Sequence, residues 1–115
     1  MQPVADLLRG ALRRGDEQGR AQIRSQHLPH DVVADLVRQT YHYALEHAAG
    51  DSSGGWLIFR EGIASWWCEE AGLTDDEFGR LFHLRTDVVK LLTEQGLAER
   101  RHPRSTLLYV RRDAV

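Results

Sequence analysis

Residues 73–112 read LTDDEFGRLFHLRTDVVKLLTEQGLAERRHPRSTLLYVRR, and this stretch decides the fold. Thr74-Asp75-Asp76-Glu77 is a capping box: the Thr74 hydroxyl suits the amide three residues on, Glu77 reaches back, and three acids suit the positive end of a helix dipole. Phe78, Leu81 and Phe82 give the helix that starts there an apolar face. The spacing then places a short connection at His83-Leu84-Arg85, with Thr86 capping a second helix that buries Val88, Leu91 and Leu92 and ends at Gly96. Two short helices joined by three residues form a helix-turn-helix. Beyond them, residues 97–101, the turn His102-Pro103-Arg104-Ser105 and residues 106–111 read as a β-hairpin with its proline confined to the loop.

A helix-turn-helix followed directly by a hairpin is the order of a winged helix. The stretch resembles the core of many bacterial winged-helix proteins, in which a capped helix, a turn, a second helix, a "GL.ER" phrase (here Gly96-Leu97-Ala98-Glu99-Arg100) and a two-stranded wing succeed one another. It covers about a third of the chain. The resemblance implies a fold and leaves the task open, because this scaffold hosts repressors, DNA-processing accessory domains and protein-binding modules alike. A narrower resemblance is to the C-terminal domain of conjugative relaxases of integrating elements. Trp56-Leu57-Ile58-Phe59, Arg60-Glu61-Gly62 and Gln95-Gly96-Leu97 carry it, while Trp66-Trp67-Cys68 stands where that family has a Ser-Pro helix start.

Working outward, Val4, Leu7, Leu8, Ala11 and Leu12 recur with the spacing of an amphipathic helix over residues 3–14. Gly15-Asp16 reads as its break, and the polar segment up to Gln26 has only Ala21 and Ile23 to anchor a short helix. Leu28-Pro29-His30-Asp31 reads as the entry to a long helix, with Asp31 as cap and Val32, Val33, Leu36, Val37, Tyr41, Ala44, Leu45 and Ala48 at helical spacing. The loop from Gly50 to Gly55 stops it near His47. Residues 56–59 fit a short buried strand. Ile63, Ala64, Trp66, Trp67 and Ala71 follow helical spacing up to Gly72, a reading preferred to a second strand over residues 63–67.

The whole is expected to be one α+β domain, mostly helical. A helical portion over residues 1–49 packs on a winged helix over residues 56–115, whose three-stranded antiparallel sheet is built from residues near 56–59, 97–101 and 106–111. The expected core is Leu36, Leu45, Trp56, Ile58, Ile63, Trp67, Phe78, Leu81, Val88, Leu91, Leu92, Leu97, Leu108 and Val110.

The 115 residues suffice for one packed core and not for two. Apolar runs are far shorter than the roughly 20 residues of a membrane helix. One cysteine, Cys68, and an amino terminus without basic or apolar signal regions make the cytoplasm the expected compartment. The net charge of −2 conceals a separation: residues 1–60 hold seven bases and seven acids, residues 61–79 six acids and no base, and residues 80–115 eight bases and four acids.

The basic third carries Arg100, Arg101, Arg104, Arg111 and Arg112, whose planar guanidinium groups suit phosphate. With Arg85 and Thr86 at the start of the second motif helix and Lys90 on it, these residues form a candidate contact for double-stranded DNA. Asp87 and Glu94 on the same helix would repel phosphate, and its lack of outward Asn, Gln or Arg points to wing and backbone contact rather than base readout. On this reading the chain is a transcriptional regulator or an accessory module of a DNA-mobilising system. The alternatives are a solvated hairpin whose charges discourage edge pairing, and a protein-interaction winged helix.

The acidic run from Glu61 to Glu77 reads either as a partner-docking face through Trp66, Glu69 and Glu70 or as helix capping beside core tryptophans. The stripe from Val4 to Leu12 either covers the core or pairs with its twin in a homodimer. No enzyme is expected: the histidines lack the i,i+4 pairing of a helical metal site, Cys68 sits among acids that raise its pKa, and no glycine loop follows a strand to cradle phosphate. Neither a metal nor a cofactor is expected.

Overall fold

The computed structural model describes residues 2–50, 56–100, 104 and 107–112, with residues 56–61 described by their backbone alone. Among the described residues four α-helices carry most of the chain: α1 (Val4–Glu17), α2 (His30–His47), α3 (Arg60–Ala71) and α4 (Asp75–Glu94). Four short strands, β1 (Ala49–Gly50), β2 (Trp56–Phe59), β3 (Ala98–Glu99) and β4 (Leu107–Val110), form one sheet in the order β1-β2-β4-β3. Every neighbouring pair is antiparallel, with Ile58 opposite Leu108 and Ala98 opposite Val110. The domain is therefore mostly helical α+β, with β1 as a fourth strand that the sequence did not announce.

Helix α1 runs through Gly15-Asp16 instead of breaking there. Gly15 is buried and lets Ile23 approach the helix, so packing holds it in helical conformation. The stop comes at Gly19, which takes φ +65°, while the Arg20 amide returns to the Gly15 carbonyl at 2.8 Å. Val4, Leu7, Leu8, Ala11 and Leu12 are each 5% exposed or less within this one chain. Of the two readings of this stripe, it covers the chain's own core, mainly against α3.

A single turn of 3-10 helix at Ser25–His27 leads to α2, which begins at His30 behind Pro29. Asp31 lies in the first turn and Pro29 occupies the cap position, so Asp31 is not the cap.

The largest departure concerns α4. It is one uninterrupted helix of 20 residues, and the expected turn at His83-Leu84-Arg85 does not exist. None of those three residues breaks a helix, and Leu81, Leu84, Val88 and Leu92 continue one buried stripe. Thr86 does not cap a helix: its hydroxyl donates back to the Phe82 carbonyl one turn earlier, at 3.2 Å. The capping box at Thr74 is present, with the Glu77 amide donating to Thr74 Oγ1 at 3.1 Å and the Thr74 amide to Glu77 Oε1 at 3.0 Å. The three-residue turn is Gly72-Leu73-Thr74, between α3 and α4, with Gly72 at φ +60°. Ile63 and Trp67 lie within α3 and are fully buried, so the helical reading of this segment holds.

Of the expected core, Leu36, Ile63, Trp67, Leu81, Val88, Leu92, Leu108 and Val110 are buried. Leu45, Leu91 and Leu97 pack half-buried at its margin, and Phe78 is also half-buried. The side chains of Trp56 and Ile58 lie outside the described residues.

Candidate functional site

The strand register separates the arginines. Ala98 faces Val110 and Glu99 faces Tyr109, so Arg100 continues toward the tip of the hairpin while Arg111 and Arg112 stand at its base. Three residues at about 3.4 Å each put roughly 10 Å between Arg100 and Arg111 along the strands. Arg100 therefore does not form one patch with Arg111 and Arg112. Arg100 and Arg104 are exposed; Arg101, with most of the hairpin turn, lies outside the described residues. At the base, the Arg112 guanidinium donates to the Leu45 carbonyl at the end of α2 at 2.8 Å, and the Tyr41 hydroxyl donates to the Arg111 carbonyl. These contacts tie the end of the sheet to α2.

On α4, Arg85 is 7% exposed and places its guanidinium 4.9 Å from the Phe82 ring centre, so it is a packed residue and not the surface contact expected for DNA. The continuous helix causes this, because its course carries position 85 inward beside Leu84. Lys90 is exposed, with Glu94 at 3.9 Å. Asp87, expected to face solvent, instead accepts from Arg24 at 2.7 Å, from the Ser25 amide at 3.0 Å and from the Ser25 hydroxyl at 3.1 Å. Burial would push its carboxyl up, but the Arg24 and Ser25 donors outweigh that and hold it below the usual carboxylate value. The outward face of α4 carries Asp75, Asp76, Phe82, Lys90 and Glu94, and Phe82 is 45% exposed.

The segment preceding α2 covers a flank of α4. Arg9 donates to the carbonyls of Ala71 and Gly72 at 2.8 Å each and pairs with Glu77. The Ile23 amide donates to the Arg80 carbonyl at 3.0 Å, and Arg80 pairs with Asp16 at 2.9 Å. The Thr74 amide, and then Arg9, hold the Glu77 carboxyl below its ordinary value.

Trp66, Glu69 and Glu70 do come together, in a groove between α2 and α3 of about 560 Å³. Helix α2 supplies the opposite wall with Tyr43, Glu46 and His47. The rings form a stack: Trp66 lies 4.3 Å from Tyr43 at 8° between planes, and His47 lies 4.2 Å from Tyr43 at 22°. The Tyr43 hydroxyl donates to the Gly62 carbonyl at 3.4 Å, and a His47 ring nitrogen lies 3.0 Å from the Tyr43 carbonyl. Burial, then the charge of Glu69, pushes the Tyr43 hydroxyl up. Burial, then Asp75 and Glu69, raises the neighbouring Cys68 thiol.

Tyr43, Glu46 and His47 were missed in the sequence. The signal was present as residues 39, 42, 43, 46 and 47, a second stripe on α2 at helical spacing whose aromatic members were overshadowed by Tyr41 on the core side. Among the described residues no group of three or more metal-binding side chains converges, and no helix is long and apolar enough to cross a membrane. Comparison with protein families, with characterised proteins and with solved structures finds no match for the chain.

Proposed function

We propose that the chain is a winged-helix module that docks to a protein partner through the groove between α2 and α3. The element order supports the fold half of this reading. Helix α2, strand β2, helix α3, a three-residue turn, helix α4 and the strands β3 and β4 follow in winged-helix sequence, with β4 between β2 and β3. On this reading the helix-turn-helix is α3–α4, one helix earlier than the sequence suggested, and α1 and β1 are additions to it.

The observation that carries the docking half is the Trp66–Tyr43–His47 stack lining a surface groove, with carboxylates beside it. Rings with a polar handle gathered in a concave, half-exposed site are the usual material of an interface anchor. Helix α4 supports the same division of labour, since its outward acids disfavour phosphate where a nucleic-acid reader would place its recognition helix.

Selection from a random peptide library displayed on phage tests the reading. The wild-type chain should enrich a family of sequences that Glu69→Lys, an exposed change with no packing role, no longer holds. No enrichment, or enrichment indifferent to Glu69→Lys and to a folded Trp66→Ala, rejects it.

A second reading is favoured by the exposed Arg100 and Arg104: the wing tip contacts duplex DNA, as a regulator or an accessory of DNA mobilisation. These two arginines offer about two phosphate contacts, hence a log-log salt slope of roughly −2. Absence of binding to duplex DNA at low salt removes this reading.

A further inference from the structure

Resting on the docking reading, we propose that the α2–α3 groove recognises the guanidinium of an arginine in a basic segment of the partner protein. Charge complementarity argues for a cation. Glu46, Glu69 and Glu70 line the groove with no lysine or arginine among its lining residues. Among the described residues no hydrogen bond or ion pair engages these three carboxylates. Burial first, and then the negative charge of Glu69, raises the Tyr43 hydroxyl, so the field of this carboxylate reaches the groove. An anionic or purely apolar occupant would leave that field uncompensated.

The aromatic stack decides between cations. An indole face is the best side-chain receptor for a cation, and a planar guanidinium adds parallel stacking and a two-pronged grip on a carboxylate that a lysine ammonium lacks. The groove also has room for more than a single ion, since its roughly 560 Å³ falls in the range of sites for small ligands and peptide side chains. His42 and His47 are the other titratable groups of the lining.

Calorimetric or NMR titration of the full chain with three capped peptides tests this. The three differ only in two central residues: arginine, lysine, or citrulline, which keeps the arginine shape without its charge. The arginine peptide should bind about tenfold tighter than the citrulline peptide and several-fold tighter than the lysine peptide. Shifts should centre on the Trp66 indole, and Glu69→Gln with Glu70→Gln should erase most of the arginine preference. Equal binding of arginine and citrulline peptides, or no binding of either, overturns the proposal. If phage selection then yields groove-dependent peptides without basic residues, docking stands and arginine recognition falls; if it yields none, both fall. Self-association in sedimentation that Glu69→Lys abolishes, with no arginine preference, assigns the groove to a second copy and overturns the proposal likewise.

Discussion

Gly15 offers a test of how α1 is docked. A glycine inside a helix costs up to about 1 kcal/mol relative to alanine, so Gly15→Ala should stabilise the chain unless space forbids it. A Cβ at Gly15 would lie 2.7 Å from Ile23 Cδ1 and 2.8 Å from Ile23 Cγ1, with an Arg80 guanidinium nitrogen at 3.1 Å. Carbon atoms in contact prefer about 3.5–4.0 Å, so nearly an ångström must be found. Ile23 has little freedom to give it, being 1% exposed with its amide bonded to Arg80. Overpacking of this kind costs about 1–3 kcal/mol. Gly79 in α4 is the matched control, since a Cβ there meets nothing within 4 Å. Gly79→Ala should therefore gain most of the helix propensity, while Gly15→Ala ends level with or below the wild type. The gap between the two variants is the steric cost, about 1–3 kcal/mol, or roughly 4–12 °C in Tm at about 4 °C per kcal/mol. Urea unfolding with the m-value held constant measures it. If Gly15→Ala stabilises as much as Gly79→Ala, the close approach of Ile23 to α1 is wrong.

Three further outcomes follow from the polar contacts. Asp87→Ala leaves the Ser25 amide and hydroxyl without their acceptor and should cost about 1–3 kcal/mol at neutral pH. Because the folded Asp87 carboxyl is held below its ordinary value, its contribution is present above about pH 4 and lost as pH falls through the folded value. The acid limb of a stability-against-pH curve should accordingly be shallower in the variant, and an unchanged limb would count against the tether. Cys68 works in the opposite direction: its raised thiol keeps a proton that the unfolded chain loses, so stability falls as pH climbs above about 8.5. Cys68→Ala should flatten that decline, and identical alkaline limbs would show the thiol to be unperturbed. In the β3–β4 hairpin, Arg104→Ala should lower the magnitude of any DNA salt slope by about 1 and weaken binding evenly across sequences. A change confined to one DNA sequence would place Arg104 at a base edge instead.

Periodicity made the helices legible and could not place their ends. The stripes of α1, α2 and α3 stand in the sequence because each buries one face against a single core, and the capping box at Thr74 marks a start that no other residue competes for. What escaped was decided by tertiary contact. Gly15 looks like a stop until Ile23 is seen to need its missing side chain. Thr86 looks like a cap because threonine favours that role, yet in α4 its hydroxyl turns back on the Phe82 carbonyl and the helix continues. Arg85 looks like a surface cation, and only the uninterrupted course of α4 carries it inward over Phe82. At the groove, Trp66, Glu69 and Glu70 were visible on one helix, but the rings of Tyr43 and His47 come from another helix whose rotation no local pattern fixes.

The same acids that fold α4 also bear on what it can bind. A helix N-terminus attracts phosphate when its amides are free and no negative charge stands near them. Here the Thr74 and Glu77 amides are already bonded to the side chains of the box, and Asp75 and Asp76 stand exposed beside them. Arg9, which reaches this end, pairs with Glu77 and the carbonyls of the preceding turn. Opening the site to phosphate would require breaking contacts that fasten α1 to the α3–α4 turn. The two proposed binding surfaces lie elsewhere: the exposed Arg100 and Arg104 of the β3–β4 hairpin are one, and the carboxylate-lined ring stack between α2 and α3 is the other. Their charges are opposite, so rising salt should weaken phosphate binding at the tip and cation binding in the groove alike, whereas an arginine-bearing peptide should compete with DNA only if both read the same face.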